Sequence, residues 1–211
     1  MPINRPIDHI VYAVSNLEEG MAHFEQLTGV RPVFGGYHTT KGTKNALVRL
    51  GETAYLELLA VDHENTTVSR SRWMGVDLVN EPMLTRWSLK SDNLALDSEV
   101  LKKHQADMGV IQGGERKTAV GDWLRWQMIL PLAEPLVEVV PFFTDWQNSS
   151  VHPAAALDDR CIIIELKLAH PNPAQVQATM DALAAGVVVE KGESPKISLH
   201  LQTPRGVVVL E

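Results

Sequence analysis

The hydrophobic pattern opens on Ile7-Asp8-His9-Ile10-Val11-Tyr12-Ala13-Val14, a β-branched and aromatic run that predicts a strand. One histidine, His9, stands inside it where a plain core position would be apolar. Asn16 follows as an N-cap candidate with Glu19 three residues on, the spacing of a capping box. Leu17, Met21, Phe24 and Leu27 then recur at helical spacing, and Gly29 supplies a stop. Val30 to Phe34 restarts an extended segment, which Gly35-Gly36 is expected to break. Asn45 to Leu50 and Ala54 to Leu59 read as strands joined through Gly51-Glu52. The pattern is one β-α-β-β-β unit, ending near Asp62.

The pattern then repeats. After a polar connector, Trp87 to Ser91 reads as a strand, and Asn93 opens a helix carrying Leu96, Val100, Leu101 and Met108 until Gly109. Asp122 to Ile129 and Leu136 to Val140 are predicted strands, the second of which sets Glu138 in the place Glu57 holds in the first unit. A third, shorter pass comes after a loop containing Trp146, His152 and Pro153. It has a strand from Ile162 to Leu168, a helix opened by Asn172-Pro173, and three further strands ending at Leu210. Repetition on this scale divides the chain into a first module (1–62), a connector (63–83), a second module (84–145) and a loop with a partial third module (146–211), within one compact domain. The expected class is α+β, a curved mixed sheet forming a cup with helices packed outside.

Composition narrows the functional classes. With 45% hydrophobic and 21% charged residues the chain has the balance of an ordinary globular protein with a sizeable core. A net charge of −7 argues against a nucleic-acid surface or an anionic membrane as partner. No apolar stretch approaches the roughly 20 residues needed to span a bilayer. The lone Cys161 lies in an apolar strand run and reads as core filler; one cysteine fits a reducing compartment, so a cytoplasmic setting is expected.

Asp8-His9-Ile10-Val11, then Gly36-Tyr37-His38 leading to Gly42-Thr43-Lys44-Asn45-Ala46-Leu47, then Leu50-Gly51 leading to Ala54-Tyr55-Leu56-Glu57-Leu58, resemble motifs of bacterial glyoxalase-like domain proteins. The likeness resumes at Trp146 to Pro153 and at Thr203-Pro204-Arg205-Gly206. These proteins belong to the vicinal oxygen chelate superfamily, whose building block is a tandem β-α-β-β-β unit. The superfamily uses one fold for isomerisation, ring cleavage, epoxide opening and plain sequestration.

The resemblance implies metal ligands on the first and fourth strands of each module. It would make His9 and Glu57 the first pair, suited to zinc, manganese, iron or nickel. A glutamate among Leu56, Leu58 and Leu59 is costly to bury unless paired or metal-bound. The second module departs from the pattern. Seven residues before Asn16 stands His9, but seven before Asn93 stands Arg86. Two readings stay open: Arg86 grips an anionic substrate group, or it pairs with Glu138 or Glu57 and there is no metal. Catalytic candidates are Glu138, as general base, and Glu57. Candidate ligand contacts are Arg86, His38 on a glycine-flanked loop, Asn45, Tyr55, Trp126 and His152. Trp123 and Trp126 are three apart, so one is expected to line the pocket and the other to pack beneath a helix. Two functions remain in view: an enzyme acting on an oxygenated small molecule, or a metal-free binding protein using the same cup. A homodimer is expected by analogy with the superfamily.

Overall fold

The computed structural model describes residues 5–69, 71–117, 123–146, 149, 152–158 and 160–211. The first module contains β1 (Ile7–Ala13), α1 (Leu17–Thr28), β2 (Val33–His38), β3 (Thr43–Arg49) and β4 (Tyr55–Val61). The second contains β5 (Met83–Lys90), α2 (Leu94–His104), β6 (Ile111–Lys117), β7 (Trp123–Ile129) and β8 (Phe142–Asp145). Their strands form one eight-stranded sheet in the order β2-β3-β4-β1-β5-β8-β7-β6. In each module the first strand pairs parallel with the fourth, and β1 meets β5 antiparallel at the centre. The result is a pseudo-two-fold arrangement.

Local chemistry explains the helices. Asn16 accepts the amides of Glu18 and Glu19 at 3.0 and 3.3 Å, satisfying donors that have no partner inside the helix. Gly29 adopts φ 76° and closes α1 by donating its N–H to the Glu25 carbonyl. Asn93 caps α2 in the same way, but α2 ends at His104, short of the expected stop at Gly109, because Gln105 turns extended.

The central ladder fixes which residues correspond between modules. Ile7 faces Leu89 while His9 faces Ser88, leaving Asp8 as the extra residue of a bulge in β1. Val11 faces Arg86 while Tyr12 faces Leu84, leaving Thr85 extra in β5. The bulges are related by the pseudo-symmetry, so Asp8 corresponds to Thr85, His9 to Arg86 and Val11 to Ser88. Glu57 faces Val11 across β1–β4, and Phe142 faces Ser88 across β5–β8. The counterpart of Glu57 is therefore Phe142, not Glu138.

That corrects the expected fourth strand. Leu136 to Val140 forms no strand; β8 begins at Phe142. The Arg86 guanidinium enters the space alongside and binds carbonyl oxygens of Leu132, Pro135 and Leu136, while Glu138 donates its amide to Thr85 and Val139 accepts the Trp87 indole N–H, so the run is held by scattered bonds and not by a ladder. A second difference lies in β2, which runs through Gly35-Gly36, taking up the glycines as a register shift between Phe34 and Gly36.

The remaining elements, β9 (Ile162–His170), α3 (Pro173–Ala182), β10 (Val189–Lys191), β11 (Lys196–Thr203) and β12 (Gly206–Leu210), make a separate sheet in the order β10-β9-β11-β12. Its first strand pairs with its second and third, so it repeats the element order of a module without its pairing. It joins the helix side of the large sheet. Leu168, Met180 and Leu199 share one buried core with Phe24 of α1, Leu101 of α2 and the large sheet's Ile10, Leu56, Leu58, Trp87 and Phe143. Cys161 is fully buried there, as its sequence context predicts. The opposite face carries a smaller cluster, including Val11, Leu59, Trp73, Met74, Met128 and Phe142. No helix among the described residues is long and apolar enough to cross a membrane.

Candidate functional site

On that opposite face, the first module gathers a buried polar chain. Strand alternation turns His9 of β1, Asn45 of β3 and Tyr55 and Glu57 of β4 into the cup, and all four are buried. His9 lies between two rings, stacked on Tyr55 at 4.7 Å and edge-on to Phe142 at 5.1 Å. Asn45 reaches its place because position 35 is glycine: a Cβ there would stand 2.4 Å from Asn45 Oδ1.

Asp8 anchors one end of the chain. Its Oδ1 lies 2.6 Å from His9 Nδ1, and its Oδ2 accepts the Trp146 indole N–H at 2.8 Å and stands 3.3 Å from His152 Nε2. Burial opposes a charge at Asp8, yet hydrogen bonds from His152 and His9, with the attraction of both rings, hold its carboxyl down at about 2 against an ordinary 3.8. Asp8 is therefore an acceptor only, and His9 Nδ1 carries the proton between them. The Ala154 amide donates to His152 Nδ1 at 3.2 Å, which places the His152 proton on Nε2, facing Asp8.

In the neutral imidazole these bonds leave the lone pair on His9 Nε2, which lines the cup 3.8 Å from Glu57 Oε2. That separation is beyond hydrogen-bonding distance. Glu57 Oε1 accepts the Asn45 amide at 2.6 Å and lies 3.8 Å from His38 Nε2. His38 meets Thr43 Oγ1 at 3.0 Å through Nδ1, and Trp73 donates its indole N–H to the same hydroxyl at 3.2 Å. The space among these groups is a chamber of about 30 Å³, also bounded by Trp126, Met128 and Trp146. It opens into a vestibule of about 830 Å³ between β2 and the β6–β7 hairpin; the two share His38, Trp73, Trp126 and Met128.

Of the residues singled out in the sequence, His9, Glu57, Asn45, His38, Tyr55 and Trp126 line this chamber, and His152 joins it through Asp8. Arg86 and Glu138 stand apart. Arg86 is 2% exposed and donates four bonds of 2.6 to 3.1 Å, all to backbone carbonyls. These bonds hold the 132–136 segment, and Arg86 lies outside the chamber beside a cavity that it shares with Glu138. Burial lowers its pKa to about 10, the Glu138 charge opposing the fall, so it keeps its charge at neutral pH. Glu138 accepts the Val140 amide at 2.9 Å and lines a small separate cavity with Arg86, which removes it as the chamber's base. Trp123 is 42% exposed and lines the vestibule together with Trp126.

Reading by alternation missed Asp8, since neighbours on a regular strand face opposite ways. The bulge at Asp8 suspends that rule. Its signals were adjacency to His9 and a place in the Asp8-His9-Ile10-Val11 motif, neither of which assigned it a role. Trp73 and Trp146 sit in irregular segments, where no periodicity points to a face.

The donor set does not fit the metal centre that the resemblance implies. The positions matching His9 and Glu57 in the second module are Arg86 and Phe142, a cation and a hydrocarbon. No group of three or more His, Cys, Asp or Glu among the described residues has metal-holding geometry.

A family model described as a glyoxalase-like domain matches residues 7–184. No curated protein matches. Among solved structures, a hypothetical protein from Staphylococcus aureus is similar with a TM-score of 0.65 at 18% identity, over 97% of this chain and 98% of that one. Methylmalonyl-CoA epimerase from Mycobacterium tuberculosis gives 0.43 at 16% identity, over 73% and 93% of the two chains. The Streptomyces coelicolor epimerase in complex with 2-nitronate-propionyl-CoA gives 0.43 at 17% identity, over 71% and 100%. At such identities these likenesses speak of the fold alone.

Proposed function

The chain belongs to the glyoxalase-like domain family, and from that premise we propose that it is a small-molecule enzyme moving a proton at a carbon next to a carbonyl group. One observation carries this reading: a fully buried, ionised Asp8 holds the His9 Nδ1 proton, so that the neutral imidazole keeps its lone pair on Nε2, 3.8 Å from the Glu57 carboxylate in a chamber sized for one small group.

His9 acts as the general base. Its Nε2 takes the proton from carbon, and the electron pair of that C–H bond moves into the enolate. Asp8 stabilises the imidazolium that forms, and Glu57, 3.8 Å from Nε2, favours the same charge from the other side. Return of the proton from His9, directly or through Glu57, to the same carbon on either face or to the neighbouring oxygen completes an isomerisation without an added reactant. Asn45 keeps Glu57 Oε1 occupied, so Oε2 is the oxygen turned to the reaction. The tight Tyr55–His9 stack holds the imidazole plane.

The test is solvent exchange. A panel of α-substituted ketones, keto acids and acyl esters incubated in D₂O is followed by proton NMR. Loss of the α-proton signal with the wild type and not with His9→Asn is the expected result. If ligands raise the melting temperature yet none exchanges, the cup is a sequestering site and the proton-transfer reading fails.

A further inference from the structure

The chamber takes only a small reacting group, so the bulk of a ligand must lie in the vestibule outside it. Resting on the proton-transfer reading, we propose that the vestibule is built for a flat aromatic or conjugated acid, its ring on Trp126 and its carboxylate on Lys41.

The ring platform is set by backbone. Trp126 on β7 lies opposite Gly114 on β6, and a Cβ at Gly114 would stand 2.5 Å from the indole. Only a glycine there lets the ring lie against the strand, and Trp146 braces it from 5.5 Å. With Trp73 at the chamber boundary, Trp126 gives the passage aromatic walls. Faces of this kind favour planar, polarisable ligands over saturated ones.

The charge is at the other module. Two cations line the vestibule among the described residues, Lys41 and Arg125. Arg125 is neutralised by Glu115 at 3.1 Å. Lys41 has no carboxylate partner among the described residues; its ammonium donates to the neutral Gln112 side chain at 3.0 Å and lies 5.4 Å from the Trp73 ring centre. Lys41 thus spans the mouth from the β2–β3 turn to β6, half-buried and uncompensated. Burial lowers its pKa, a penalty that a bound anion would relieve. A carboxylate replacing Gln112 as acceptor would make a charge-assisted bond, stronger than the neutral one it displaces.

Binding is read by tryptophan fluorescence and calorimetry with three inert probes: 2-naphthoate, 2-naphthamide and cyclohexanecarboxylate. Naphthoate is expected to bind at least about tenfold more tightly than either of the others, and more weakly as salt rises. Lys41→Met should remove the preference over the amide, and Lys41→Glu should reverse it; circular dichroism confirms that both fold. Equal affinity of naphthoate and naphthamide for the wild type, or an unchanged preference in Lys41→Met, overturns the proposal, as does failure of naphthoate to bind. None of the probes carries a ketone or ester beside an exchangeable proton. Binding with no exchange on the substrate panel therefore fails the proton-transfer reading alone, and exchange without naphthoate binding fails this one alone.

Discussion

The two halves of the eight-stranded sheet start from the same pattern and put opposite things at matching positions. At the bulge, the first half has Asp8, whose carboxylate meets three donors, and the second has Thr85, whose hydroxyl is buried without a hydrogen-bond partner among the described residues. One position on, His9 faces an open chamber, while Arg86 is locked onto four carbonyl oxygens. On the fourth strand Glu57 meets Phe142 as its counterpart. The first half therefore gathers its polar groups around the chamber, with a gap between His9 Nε2 and Glu57 Oε2 and with Asn45 Oδ1 buried without a hydrogen-bond partner among the described residues. The second half has used its charge to hold its own backbone. The two halves share a strand pattern; one gathers the chamber's polar groups, and the other turns its buried cation to its own backbone.

The strongest way to break that contrast is to remove the base. His9→Asn is expected to lower the exchange rate by roughly 10²–10⁴-fold with the fold retained, checked by the NMR assay beside circular dichroism. A mild loss would mean that Glu57 alone does the chemistry.

Its opposite number tests stability. Arg86→Met takes the side-chain donor from four carbonyls, of which those of Thr85 and Leu132 keep a backbone amide and those of Pro135 and Leu136 keep no other donor among the described residues, and should cost about 3–5 kcal/mol in urea unfolding, as breaking buried charged networks does. The molecules that remain folded should keep their exchange rate per site. A cost near zero would show that the 132–136 segment is held by its apolar residues instead.

Asp8 links stability to function through pH. Its folded pKa, about 2, lies below its ordinary 3.8, so its stabilisation is present above about pH 4 and disappears as pH falls through 2. The shift corresponds to roughly 2 kcal/mol. Asp8→Asn should lose that acid-dependent part, measured by unfolding at pH 2 to 6, and also slow exchange, since an amide can present its N–H to His9 and select the wrong tautomer. An unchanged pH–stability curve would deny the buried carboxylate its role.

The smallest effect belongs to the matching bulge. Thr85→Val removes a hydroxyl that has no bond to lose, so stability should change by less than about 1 kcal/mol and in the favourable direction. A clear destabilisation would reveal a partner for Thr85 and weaken the contrast between the halves.

Much of the fold was legible along the chain. The modular β-α-β-β-β rhythm, the caps at Asn16 and Asn93 and the stop at Gly29 depend on residues a few positions apart, where local propensity and periodicity decide. His9 and Glu57 were legible for the same reason, as polar residues in strands that must bury both faces. His38 and Asn45 came from the motif between them. The failures share one cause. Glu138 resembled Glu57 because an apolar run surrounds both, but whether such a run joins a ladder depends on what lies alongside it, and there Arg86, Trp87 and Thr85 supply scattered bonds instead. Asp8 had no assigned role because the bulge that turns it toward His9 is a mismatch between two strands, a property of neither alone.

By itself, then, the sequence determined the elements, the tandem modules and a histidine and glutamate buried on one face, because apolar periodicity and capping act over short distances. Tertiary structure alone decided that Asp8, Trp146 and His152, separated by up to 144 positions, converge on one carboxylate. It also decided that Arg86 serves the backbone and that one module keeps the open chamber. Hydrogen bonds and charges are settled by whichever partner arrives within about 3 Å, and that distance is set only when the whole sheet has closed.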